Sequence, residues 1–76
     1  MDAKILTEWH DEKLENGSVV LQDGILAVIA CPKCGQAQDA SRYVLVNGLS
    51  LLGRFVCLRS RCGYAGHMKN KQWTEG

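Results

Sequence analysis

Cys31-Pro32-Lys33-Cys34 and Cys57-Leu58-Arg59-Ser60-Arg61-Cys62 decide how the rest of this chain is read. Each is a pair of cysteines closed by a short turn, and 22 residues separate the pairs. A Cys-x₂-Cys turn places two sulfurs on one side of a metal ion, and Cys-x₄-Cys is a looser turn within the usual spacing. Together the pairs offer the four ligands that tetrahedral zinc takes. With no position left open, the site is structural rather than catalytic. Cys31, Cys34, Cys57 and Cys62 are therefore expected to hold one Zn²⁺ per chain.

Other uses of four thiols compete with this reading. A thioredoxin-like centre can use Cys31-Pro32-Lys33-Cys34, but no parallel α/β pattern surrounds it and Cys57 and Cys62 stay unexplained. Two disulfides need an oxidising compartment. An iron–sulfur cluster also takes four thiolates, although nothing in the spacing asks for one. His67 is a conceivable substitute ligand but reads as a surface residue beside four cysteines, and His10 has no ligand company.

Seventy-six residues make one domain at most. A chain of this length buries about 60% of the surface its unfolded form exposes, so its core is marginal without a staple. Binding energies of about 10–16 kcal/mol in zinc-finger peptides would dominate so small a fold. No basic region precedes an apolar stretch near Met1, and the apolar run Ile25 to Cys31 is far shorter than a membrane span. The expectation is a soluble intracellular domain in a reducing cytosol, where paired cysteines bind metal.

Strands lead into both cysteine pairs. Ser18–Leu21 and Ile25–Ala30 bracket Asp23-Gly24, a hairpin signal, and the second run feeds Cys31. Tyr43–Val46, Asn47-Gly48 and Leu49–Val56 form a second hairpin, with Gly53 as a bulge, and Phe55-Val56 feeds Cys57. Gly63 after Cys62 mirrors Gly35 after Cys34. Upstream, Asp2 caps a helix over 3–15 that Asn16-Gly17 ends, with Ile5, Leu6, Trp9 and Leu14 near one face. Trp9 is read as packing surface. Residues 35–41 read as loop, and 67–76 as a basic tail ending in a short helix or frayed. The predicted architecture is a small zinc-stabilised β-rich domain. It comprises an acidic extension (1–30, helix or hairpin), a two-knuckle zinc ribbon (31–66) and the tail (67–76).

Charge divides along the same line. Residues 1–30 carry six acids against Lys4 and Lys13, a net −4, whereas 31–76 carry seven bases against Asp39 and Glu75, a net +5. A basic ribbon suggests an anionic partner. Arg42, Arg54, Arg59, Arg61, Lys69 and Lys71 are the candidate nucleic-acid contacts, reaching phosphates or guanine edges. Alternating strand residues face opposite ways, so not all of them share one patch. No glycine-rich phosphate loop, nucleophile elbow or credible carboxylate pair is present, and the chain is read as non-enzymatic.

The spacing Cys-x₂-Cys-x₂₂-Cys-x₄-Cys resembles that of the Ogr/Delta family of small phage zinc-finger proteins. Cys31-Pro32-x-Cys34, the segment Ser41-Arg42-Tyr43-Val44 and Phe55 before the third cysteine are similar to the family's pattern. The likeness covers residues 31–66. It implies zinc held by Cys31, Cys34, Cys57 and Cys62. It further implies a phage or prophage transcription regulator that binds DNA, bacterial RNA polymerase or both. The family begins almost at its first cysteine and continues well past its fourth, so the acidic leader here is expected to supply a different contact. The competing expectation is a zinc-ribbon interaction module, an adaptor or inhibitor of a host protein, with the 43–56 hairpin, Trp9 and Trp73 as anchors. A structural subunit of a larger assembly is a third.

Overall fold

The computed structural model describes residues 1–9, 13–47 and 50–76. Nine strands follow one another among them: β1 (Ile5–Leu6), β2 (Val19–Gln22), β3 (Ile25–Ala30), β4 (Ala37–Asp39), β5 (Val44–Val46), β6 (Ser50–Leu52), β7 (Phe55–Val56), β8 (Ala65–Lys69) and β9 (Gln72–Glu75). They form three sheets, ordered β1-β2-β3-β4, β5-β6 and β7-β8-β9. A small β-rich chain with a cysteine turn in each of two sheets is compatible with a zinc-ribbon-like domain.

Local turn chemistry accounts for the hairpins. Asp23 and Gly24 take φ of 54° and 77°, the paired left-handed residues of a type I′ turn. That turn sets β2 antiparallel to β3, as the sequence predicts. One residue, Ala27, is left over between the pairs Leu21↔Leu26 and Val20↔Val28. Such a bulge resets the alternation of side chains. Leu26 consequently joins Val19 and Ile29 in the main core, while Val20, Val28 and Ala30 face a smaller cluster with Leu6, Trp9 and Leu14. Both faces of this sheet are covered, and Trp9 is packing surface as expected.

The main core centres on Phe55, which is fully buried with Ile29, Met68 and Val19. Its ring lies 5.8 Å from Tyr43, 6.4 Å from Tyr64 and 5.5 Å from Trp73, with tilted or edge-on geometry. Offset and edge-to-face pairs of this kind add to the area each ring buries. Cys31 and Cys57 belong to the same cluster, so the cysteine site is continuous with the core.

Five sequence expectations are corrected. Among the described residues there is no helix, and the one expected over 3–15 is replaced at its start by β1. Ile5 and Leu6 pair in parallel with Val19 and Val20, and Val19 N–H donates to the Lys4 carbonyl at 2.8 Å. The open edge of β2 offers these residues backbone partners, which outweighs a weak helical pattern that already slips at Leu14. His10, Asp11 and Glu12, in the middle of that expected helix, lie outside the described residues, as do Gly48 and Leu49.

The loop expected over 35–41 contains β4, which continues the hairpin that β3 begins. Gly53, with φ of 89°, marks no bulge; it separates β6 from β7, which belong to different sheets. The basic tail expected over 67–76 is neither helical nor frayed. It forms most of the β8–β9 hairpin, turned by Asn70 and Lys71 at φ of 51° and 65°. Met68 and Trp73 are cross-strand partners facing the core. Trp73 Nε1 donates to the Gly17 carbonyl at 2.9 Å. Buried in this way, Trp73 is no partner anchor.

Candidate metal centre

Each cysteine pair sits in a turn whose backbone is closed before any ion is considered. In the first, Cys31 N–H donates to the Gln36 carbonyl at 3.0 Å and Gly35 N–H to the Cys31 carbonyl at 2.9 Å. In the second, Cys57 N–H donates to the Tyr64 carbonyl at 2.9 Å and Cys62 N–H to the Arg59 carbonyl at 3.0 Å. Gly35 and Gly63 leave these turns with φ of 77° and 67°, the mirrored role the sequence suggests. At Gly35 a second constraint operates, because a Cβ would meet Asn16 Oδ1 at 2.5 Å. Asn16 is there to brace the first turn, with Nδ2 donating to the carbonyls of Pro32 and Lys33 at 3.3 and 3.2 Å.

The two turns are near-copies in how they treat sulfur. Lys33 N–H points at Cys31 Sγ and Arg59 N–H at Cys57 Sγ, both at 3.4 Å. In each case the residue two beyond the leading cysteine stabilises negative charge on it.

All four sulfurs lie within 4.8 Å of one another. Two close separations cross between the turns: Cys31 to Cys62 at 3.6 Å and Cys34 to Cys57 at 3.8 Å. A disulfide needs about 2.05 Å, and all four cysteines are free thiols. A tetrahedral ion with metal–sulfur bonds of about 2.3 Å spaces its ligands about 3.8 Å apart. The four thiols thus fit a single ion bridging both turns. Cys31 and Cys57 are buried, whereas Cys34 and Cys62 are partly exposed.

Environment separates the thiols electrostatically. Burial pushes Cys31 up to about 12, against the pull of the Cys34 and Lys33 N–H groups. The Gln36 N–H, chiefly, draws Cys34 down to about 7. A metal-free cluster therefore keeps a proton on its most buried sulfur, and a cation that displaces it removes the desolvation problem at its source.

One participant escaped the sequence reading. Gln38 is 8% exposed; its Nε2 donates to Cys57 Sγ at 3.0 Å and its Oε1 accepts from Leu58 N–H at 2.8 Å. A glutamine in a small polar stretch carries no signature, and only the pairing of β4 with β3 aims it at the second turn.

The candidate nucleic-acid residues are all exposed but not contiguous. Arg59 and Arg61 occupy the second cysteine turn, and Lys33 Nζ donates to the Cys62 carbonyl at 3.3 Å, joining them from the first. Arg42 lies with Asp39, Tyr43, Val56 and Leu58 around a groove beside β4. Lys69 precedes the β8–β9 turn and Lys71 is part of it, Asn70 N–H there bonds Ser50 Oγ, and Arg54 lies between β6 and β7. Ala65 and Lys69 are about 13 Å apart along β8, so Lys69 and Lys71 sit at the end of that strand away from the metal centre. His67 is exposed on β8. No helix among the described residues is long and apolar enough to cross a membrane.

Comparison with protein-family models, curated proteins and solved structures gives no match. The likeness to the Ogr/Delta family therefore rests on the motif residues alone.

Proposed function

We propose that the chain is a zinc ribbon whose ion is structural and whose basic metal end binds nucleic acid, as a regulator of transcription. Four soft thiolates spaced for a tetrahedron, with no open position, suit zinc better than the harder cations, which prefer oxygen. The observation that carries the nucleic-acid reading is the Lys33–Cys62 bond across the turns. It brings the Lys33 ammonium to the turn that carries Arg59 and Arg61. None of these three makes an ion pair with a described residue, so their charge is available to phosphate. The family likeness adds a bacterial or phage setting and RNA polymerase as a second contact.

The test is binding of the zinc-loaded chain to random duplex DNA at low and moderate salt. Salt-sensitive binding is expected, with a shallower salt slope after joint Arg59→Ala and Arg61→Ala substitution. Absence of binding at low salt would sink this reading. A protein-binding adaptor would then stand in its place, and one observation favours it. Val44, Val46 and Leu52 expose a shared aliphatic face of the β5–β6 hairpin, opposite the inward Leu45 and Leu51.

A further inference from the structure

We infer that Gln38 is a positioning residue of the metal centre, fixing the Cys57 thiolate and tuning how tightly the site holds its ion. The inference rests on the metal reading above and goes beyond its four ligands.

Every polar atom of this buried amide is committed. One Nε2 proton serves Cys57 Sγ at 3.0 Å, the other points to the Gln36 carbonyl at 3.4 Å, and Oε1 takes Leu58 N–H at 2.8 Å. The reversed amide would set oxygen against both a thiolate and a carbonyl, and NH₂ against an N–H. Chemistry therefore dictates the orientation. The Gln36 carbonyl also accepts from Cys31 N–H. Through one side chain, then, the backbone that closes the first turn is tied to the sulfur and backbone of the second. At 3.0 Å the amide lies closer to its sulfur than the Lys33 and Arg59 N–H groups lie to theirs, at 3.4 Å. Four thiolates around a dication carry a net charge of about −2, and a buried donor at one of them disperses it. Partners of this kind change metal affinity by about 10–100-fold when removed.

The test uses Co²⁺ as a visible probe on the full chain. Gln38→Met keeps length and volume but abolishes both donor and acceptor. Its Co²⁺ dissociation constant is expected to rise about 10–100-fold. Its sulfur-to-cobalt charge-transfer band is expected at lower energy, because a sulfur without its donor is more electron-rich. Gln38→Glu retains the acceptor for Leu58 and sets a carboxylate against the thiolate, so its affinity should fall further. Wild-type affinity and an unmoved band in Gln38→Met would overturn the proposal while leaving the metal reading intact. A wild-type chain that takes up no ion would overturn both. A second measurement needs no variant: in the cadmium-loaded wild-type chain, scalar coupling between the metal and a Gln38 Hε proton is expected across the N–H···S bond. Its absence, with coupling seen to the Lys33 and Arg59 amides, would also overturn the proposal.

Discussion

At the scale of single residues, Gly66 shows how little tolerance this molecule has. A Cβ there would meet the Thr74 carbonyl oxygen at 2.5 Å and Tyr64 Oη at 2.6 Å. One is backbone of the neighbouring strand, and the other belongs to a ring held between Phe55 and Trp73. Neither can yield without opening the sheet or the aromatic cluster. Gly66→Ala is expected to destabilise the metal-loaded chain by about 1–3 kcal/mol, read as a lowered midpoint in thermal unfolding; an unchanged midpoint would mean that this junction is looser than it looks. The cysteines were legible at this scale because their chemistry is rare and their spacing specific. Gln38 and Asn16 were not, since a buried amide gains its role from neighbours that only the fold supplies.

Among the elements, the β8–β9 hairpin joins the cysteine site to the aromatic core. Trp73 fills the space beside Phe55 and Tyr64 and bonds the Gly17 carbonyl, which anchors the N-terminal part of the chain to the last strand. Trp73→Ala is expected to cost about 3–5 kcal/mol. Chemical denaturation of the metal-loaded chain measures this directly, and a loss under about 1 kcal/mol would contradict a core role. The hairpin's alternation was present in the sequence, with Gly66, Met68 and Trp73 inward and His67, Lys69 and Thr74 outward. Charged residues and an Asn-Lys turn without glycine hid it. The Asp23-Gly24 turn was readable because both residue types accept positive φ freely, and both do so here. For β1 the failure was different: two residues carry no periodicity, and their conformation is set by the edge of β2.

For the whole molecule, the four-cysteine cluster joins the turns of two sheets, so an ion held there is expected to make stability and metal occupancy vary together with pH. In the metal-free chain Cys31 stands near 12, above the ordinary thiol value of 9.0, and Cys34 near 7, below it. The raised Cys31 favours folding in its protonated form, a contribution lost as pH rises from about 9 towards 12. The depressed Cys34 contributes above about 9 and loses that contribution as pH falls through about 7. Ion binding must displace the Cys31 proton, so zinc affinity is expected to fall with falling pH. Competition with a chelator at about pH 8 and about pH 6 reads this, with weaker retention at the lower value. Equal retention at both would argue against thiolate ligation.

The account turns on one ion held by Cys31, Cys34, Cys57 and Cys62. X-ray absorption at the zinc edge, on the purified chain, tests that most directly. The predicted result is one zinc per chain with a first shell of four sulfurs at about 2.3 Å. A shell containing nitrogen or oxygen, or a chain purified without zinc whose cysteines are joined as disulfides, would contradict it.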